Sequence, residues 1–241
     1  MCDNIGRKRV SRMLTPSTFI ETTVETCGVR LAALWGEPSA RSAHPVGVVV
    51  FAHGSGSSRL SERNHKVARR LHERGLATVL FDLLTEDEAA DRRRVFDIEL
   101  LTERLVGAVR WCWRDARAAR LPVGVFGAST GGGAAIAAAA RERMIRAVVS
   151  RGGRVDLAGG EIGRVRAPTL LIVGEHDEQI LQWNREALGR LRPGLGPERA
   201  RLEIVSGATH LFEEAGALER VGDLAAGWFE RTLAEEAHCV P

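Results

Sequence analysis

The chain has 241 residues, with 34 basic against 31 acidic side chains, a formal net charge of +3, and 44% hydrophobic residues. This length fits one α/β domain with a substantial single core. Runs such as Arg92-Arg93-Arg94 are offset elsewhere by interleaved Asp and Glu, so they read as solvated faces and argue against a nucleic-acid partner. The longest apolar run, Ala134 to Ala140, is far too short to span a bilayer and argues against a membrane partner.

Residues 1–18 are basic but lack the apolar stretch of a secretory signal, so they read as a disordered leader, and the expected location is the cytoplasm. A single domain is expected over 19–235, with a short tail over 236–241. Its first runs, "FIETTVET" and "VRLAALWGE", flank Cys27-Gly28 and predict an antiparallel hairpin at a sheet edge. "VGVVVFAH" then opens a series of continuous apolar runs, typical of strands buried on both faces. "ATVLFD", "LPVGVFG", "IRAVVS", "PTLLIV" and "RLEIV" repeat the type.

Amphipathic helical stretches lie between these runs: "SERNHKVARRLHERG", "DIELLTERLVGAVRWCWRDARAA", "TGGGAAIAAAARER", "QILQWNREALGRL" and "ALERVGDLAAGWFERTLAEE". The alternation predicts a mainly parallel twisted sheet of about eight strands with helices on both faces. Functional loops are then expected at the carboxyl ends of the strands. The short segment from Arg151 to Ala167 leaves no room for a large cap domain. Cys2, Cys27, Cys112 and Cys239 have no C-x-x-C spacing, which argues against a zinc site or a disulfide framework.

The chemistry concentrates at "GASTGGG". Each glycine in a helix costs roughly 1 kcal/mol against alanine, so three at a helix start need another reason. Ser129 is the centre of G-x-S-x-G, between a buried strand and a helix, where a sharp turn lifts a nucleophile above the sheet. Gly127 and Gly131 remove side chains that would collide across the turn. Gly132 and Gly133 are expected to let the helix start press close to the sheet. The Thr130 N–H, at the first helical position, points where negative charge would develop on a substrate oxygen.

A serine needs a histidine base and a carboxylate to orient it. Asp177 follows the strand "TLLIVG" and His210 follows "LEIVSGAT", giving the chain order Ser, Asp, His. Glu175 is the rival acid. "FAHGSGSSR" supplies a glycine-rich loop whose Ser55 N–H is the expected second oxyanion donor, and His53 is expected to brace that loop. Arg59, Arg151 and Arg154 leave strands or loops beside the site and are candidates to grip a substrate carboxylate, with surface ion pairing as the alternative. Trp111 and Trp113 are expected along a crossover helix, away from the loops. Gly54-x-Gly56 with Asp82 at the end of the next strand imitates a dinucleotide-binding fingerprint, but Arg59 stands where a third glycine belongs.

With the motifs "HGSGSSR", "FDLLT", "GVFGASTGG", "SRGGR", "APTLLIVGEHDE" and "GATHLFEE" in order, the chain resembles the α/β-hydrolase superfamily and its dienelactone-hydrolase-like group over about Phe19 to Leu233. The resemblance implies an eight-strand sheet, an acyl-serine intermediate, and ester or lactone hydrolysis by Ser129, Asp177 and His210. It departs from the founding dienelactone enzymes in carrying serine where they carry cysteine. The expected partner is a small-molecule ester or lactone, with no metal or organic cofactor required and homodimer formation left open. An acyltransferase using the same triad, or a non-catalytic small-molecule or nucleotide-binding protein, are the alternatives.

Overall fold

A computed structural model describes residues 18–38 and 45–237. The expected leader falls outside these residues except for Thr18, as do Cys2, Cys239 and the end of the tail. The predicted hairpin is present as β1 (Phe19–Thr26) and β2 (Val29–Gly36), paired antiparallel with Thr26 opposite Val29. Its two-residue turn puts Cys27 at φ 49° and Gly28 at φ 74°, the paired positive φ that matches the twist of hairpin strands.

Six further strands follow: β3 (Gly47–Ala52), β4 (Leu76–Phe81), β5 (Val123–Ala128), β6 (Ile145–Arg151), β7 (Thr169–Gly174) and β8 (Ala200–Val205). The eight form one sheet in the order β1-β2-β4-β3-β5-β6-β7-β8, parallel from β4 onward and antiparallel at β1 and β2. Strands β3, β4, β5 and β7 are buried along their whole length, which explains their unbroken apolar sequences. Successive residues feed opposite cores: Val48 and Val50 pack on one face, and Val49 and Phe51 on the other.

Helices α1 (Glu62–Glu73) and α7 (Ala217–Ala237) cover the face built by Val49, Phe51 and Phe126. Helices α4 (Ile98–Arg114), α5 (Thr130–Arg141) and α6 (Glu178–Leu195) cover the other face with the 3-10 segment Val155–Arg164. That segment is kinked at Gly159 and fills the whole β6 to β7 connection without a cap domain. Two short helices after β4, α2 (Glu86–Ala90) and α3 (Arg92–Val95), were not expected from periodicity. They are too short to show it. The Thr85 side chain and Glu88 close a reciprocal capping box on α2, and Asp91 caps α3.

Because β3 lies between β4 and β5, successive connections leave it in opposite directions along the sheet. Such a reversal opens a crevice at the strands' carboxyl ends. Among the described residues, no helix is long and apolar enough to cross a membrane.

Candidate active site

Ser129 stands at the junction of β5 and α5, at the edge of that crevice. Its backbone adopts φ 52° and ψ −121°, a conformation costly for a side-chain-bearing residue that persists only where surroundings enforce it. The enforcement is visible. The Ser129 N–H donates to the Arg151 carbonyl at 3.2 Å, and the Ser129 carbonyl accepts from Gly132 and Arg154, both at 2.9 Å. The turn is also too tight for side chains at its flanks. A Cβ on Gly131 would strike the carbonyl oxygens of Ala52 and His53, and one on Gly127 would strike the Gly131 carbonyl. The next two glycines allow the close approach expected at the helix start: a Cβ on Gly132 would strike Ser150 Oγ of β6 as well as Gly153, while Gly133 presses against Arg154 in the loop after that strand.

Asp177 occupies the N-cap position of α6 but makes no capping bond. Its Oδ2 accepts instead from His210 Nδ1, at 2.6 Å. His210 Nε2 then lies 3.3 Å from Ser129 Oγ. The ring thus bridges the two other residues, with Nδ1 protonated toward the carboxylate and Nε2 left to accept the hydroxyl proton. Gly152, just past β6, lies behind the ring: a Cβ there would sit 3.4 Å from it. The histidine loop is held by Phe212, buried at φ 56°, and by Glu214, whose Oε1 accepts from the Thr209 amide and hydroxyl. Glu175, the rival acid, accepts instead from Ser206 Oγ and the Gly207 amide, both at 2.7 Å.

The oxyanion side differs in detail from the expectation. Thr130 opens α5, so its N–H has no intrahelical acceptor. The Ser55 N–H, the expected second donor, is directed to Thr130 Oγ1 at 2.8 Å. The hydroxyl that accepts this bond keeps a proton of its own to donate. Gly54 brings the loop against Ser129, since a Cβ there would lie 3.0 Å from Ser129 Cβ. His53 braces the loop as expected: Nδ1 donates to the Gly54 carbonyl at 3.0 Å, and Nε2 accepts the Leu83 amide at 3.0 Å. Burial lowers its pKa and so favours this neutral form.

The three arginines separate. Arg59 donates to Asp82 from both its amide, at 2.6 Å, and its guanidinium, at 2.5 Å. Asp82 therefore anchors the oxyanion loop, which is not the ribose-binding part that the dinucleotide pattern would give it. Arg154 chelates Asp156 at 2.8–3.3 Å and lies over the Trp183 ring. Both guanidiniums are thus ion-paired, the alternative that the sequence left open for them. Arg151 is 8% exposed, and its buried Nη1 has no hydrogen-bond partner among the described residues. Burial, and then repulsion from Arg63, pulls its guanidinium down to about 10. Among the described residues, no cluster of three or more His, Cys, Asp or Glu is placed to hold a metal ion.

A cavity of about 270 Å³ adjoins this arrangement, between the oxyanion loop and Leu83, Leu84, Ala89, Val95 and Leu101, with Thr130 in its wall. Its α2 and α3 side was missed by sequence reasoning; the capping signal Thr85-x-x-Glu88 was the available clue. A larger cleft of about 1180 Å³ runs between the β1–β2 turn and α4, and no triad or oxyanion-loop residue lines it. Trp111 lines that cleft, and Trp113 is exposed on the same helix.

Fold and elbow together define an α/β-hydrolase, and residues 45–221 match the family model described as an alpha/beta hydrolase domain. The dienelactone hydrolase structure from Anabaena variabilis is 47% identical, with a TM-score of 0.82, over 90% of this chain and 98% of that one. The chain belongs to the dienelactone-hydrolase-like family of α/β-hydrolases. Est1E from Butyrivibrio proteoclasticus shares the fold at 15% identity and a TM-score of 0.74, over 89% of this chain and 99% of that one. A Mycobacterium tuberculosis protein named "Putative phosphoribosyl transferase" is 56% identical over 186 residues, 77% of this chain but only 41% of that protein. The chain thus spans less than half the length of that curated relative.

Proposed function

We propose that this hydrolase cleaves a carboxylic ester or lactone through an acyl-serine intermediate, with Ser129 as nucleophile, His210 as base and Asp177 as the orienting carboxylate. The observation that carries the reading is the single imidazole bonded to Asp177 and facing Ser129 Oγ. At 3.3 Å the imidazole is within hydrogen-bond reach of the hydroxyl, a contact that shortens as the proton is transferred.

In the first step Ser129 Oγ attacks the carbonyl carbon while its proton passes to His210 Nε2. The Thr130 N–H and hydroxyl receive the developing oxyanion. The Ser55 N–H, aimed at that hydroxyl, either supports it or turns to the oxyanion directly. His210 then gives its proton to the leaving alkoxide as the carbon–oxygen bond breaks. A water repeats the attack on the acyl-serine, again losing its proton to His210, and releases the acid and the free serine. Asp177 stays ionised throughout and stabilises the imidazolium.

The phosphoribosyl transferase name belongs to a relative of which more than half has no counterpart here. The cavity lined by the oxyanion loop and Thr130 has, among the described residues, no lysine or arginine that would hold a diphosphate, which favours the ester reading. The distinguishing experiment is product analysis of a nitrophenyl ester with and without a competing alcohol. Free acid as the main product in both supports a hydrolase. Quantitative transfer to the alcohol would make the protein an acyltransferase, and no turnover of any ester would sink both.

A further inference from the structure

The side of Ser129 on which each half of an ester must lie follows from the position of His210. That ring stands against Gly152, beyond β6, and it must protonate the leaving oxygen, so the alcohol half departs on the β6 side. The acyl half is then directed across β5, toward the ends of β3 and β4. The cavity of about 270 Å³ opens there, its walls formed by the oxyanion loop, Leu83, Leu84 and Leu101, with Ala89 of α2 and Val95 of α3 on its outer side.

Three properties of this cavity describe its occupant. Its floor is apolar, because Leu83, Leu84 and Leu101 are buried core residues. Its size is limited: a volume of about 270 Å³ is small for a ligand pocket and suits a short to medium-length chain. Its charged lining residues among the described residues are Asp82, already paired with Arg59, and Glu86, with no lysine or arginine among them. An acyl chain ending in a carboxylate would lose hydration there and face acids in place of a cation.

We propose that this cavity is the acyl pocket of the enzyme and selects esters of short to medium-length, uncharged, apolar carboxylic acids. The inference rests on the ester-hydrolase reading of Ser129 and adds the substrate class. Helices α2 and α3, which no part of the triad requires, then act as the outer wall that limits chain length.

The test measures kcat/KM for nitrophenyl acetate, butyrate, hexanoate and dodecanoate, together with the half-ester of a dicarboxylic acid matched in length to hexanoate. The expected profile peaks at butyrate or hexanoate, with dodecanoate and the half-ester each at least about tenfold lower. Ala89→Trp, which fills the cavity from α2, should move the optimum to acetate. Val95→Ala, which enlarges it from α3, should extend the optimum to longer chains. Cooperative thermal unfolding of each variant checks that it is folded, and Val95→Ala keeps the test decisive if the tryptophan is not tolerated. A flat wild-type profile, preference for the half-ester, or a folded variant with an unaltered profile would overturn the pocket assignment. Failure of wild-type Ser129 to react with a small fluorophosphonate would instead overturn the hydrolase reading beneath it.

Discussion

Asp177 and His210 meet at 2.6 Å across the loops that follow two neighbouring parallel strands, β7 and β8. Asp177 stands where an aspartate ordinarily caps its helix, but its Oδ2 goes to the imidazole and the cap is left unmade. A forgone cap costs about 1 kcal/mol, so a carboxylate turned away from one signals a competing demand.

Asp177→Asn should therefore lower kcat by about 10³–10⁴, because the amide can no longer hold the ring in the required tautomer. Glu175→Gln should leave turnover near the wild-type value, since Glu175 serves only Ser206 and Gly207. Steady-state kinetics of the two variants checks the assignment. Equal losses from both would contradict it.

In the proposed mechanism Thr130 offers its N–H and its hydroxyl to the oxyanion, and only the hydroxyl can be deleted by substitution. Thr130→Val should reduce kcat by about 10- to 100-fold with little change in KM, below the loss for a full oxyanion donor because the amide remains. Thr130→Ser should retain most activity. A valine variant as active as the serine variant would confine the oxyanion site to backbone amides.

His72 is fully buried, with Nε2 on Thr78 Oγ1 at 2.8 Å and Nδ1 unpartnered. Burial, with repulsion from Arg69 and His65, lowers its pKa from 6.5 to about 4. The folded state thus holds the neutral ring where the unfolded chain binds a proton, so stability is complete above pH 6.5 and falls as pH drops toward 4. At about 1.4 kcal/mol per pH unit the loss is on the order of 3 kcal/mol. His53 contributes in the same direction. Asp115, its carboxyl held low by hydrogen bonds from Arg117, titrates below this window. Urea unfolding of wild type and His72→Gln between pH 7 and pH 4 should show a shallower decline in the variant. Parallel curves would reject His72 as the main source.

Arg151 carries a buried guanidinium with no acid paired to it among the described residues, an arrangement that costs stability and favours an anion. Replacing it with methionine should raise Tm, by about 2–4 °C for each kcal/mol recovered. Added succinate should stabilise the wild type and not Arg151→Met. Carboxylate-bearing and neutral alcohol-side esters, compared in the same pair of proteins, then show whether the anion effect reaches substrate. An equal effect on both esters, or a Tm that falls in the variant, would leave Arg151 a structural residue.

Much of this was legible before any coordinates. The apolar runs of β3, β4, β5 and β7 gave the parallel sheet because burial on both faces leaves no polar alternation to misread. Ser129 and Asp177 could be located because each follows such a run, and His210 because it follows the last strand, β8, although that edge strand is half exposed. The missing parts share a cause: they are three-dimensional pairings between short segments. Nothing local to Arg59 says that Asp82 will neutralise it, and nothing in Ser55 says that its amide meets the Thr130 hydroxyl. Helices α2 and α3 are each under two turns, below the length at which periodicity speaks, so the outer wall of the cavity they line stayed hidden.

The most direct test of the central claim is reaction of the purified protein with a fluorophosphonate, followed by mass mapping of the modified peptide. The account predicts stoichiometric labelling on Ser129, lost in Ser129→Ala and strongly slowed in His210→Ala. No labelling of the wild type, or labelling that persists in Ser129→Ala, would contradict it.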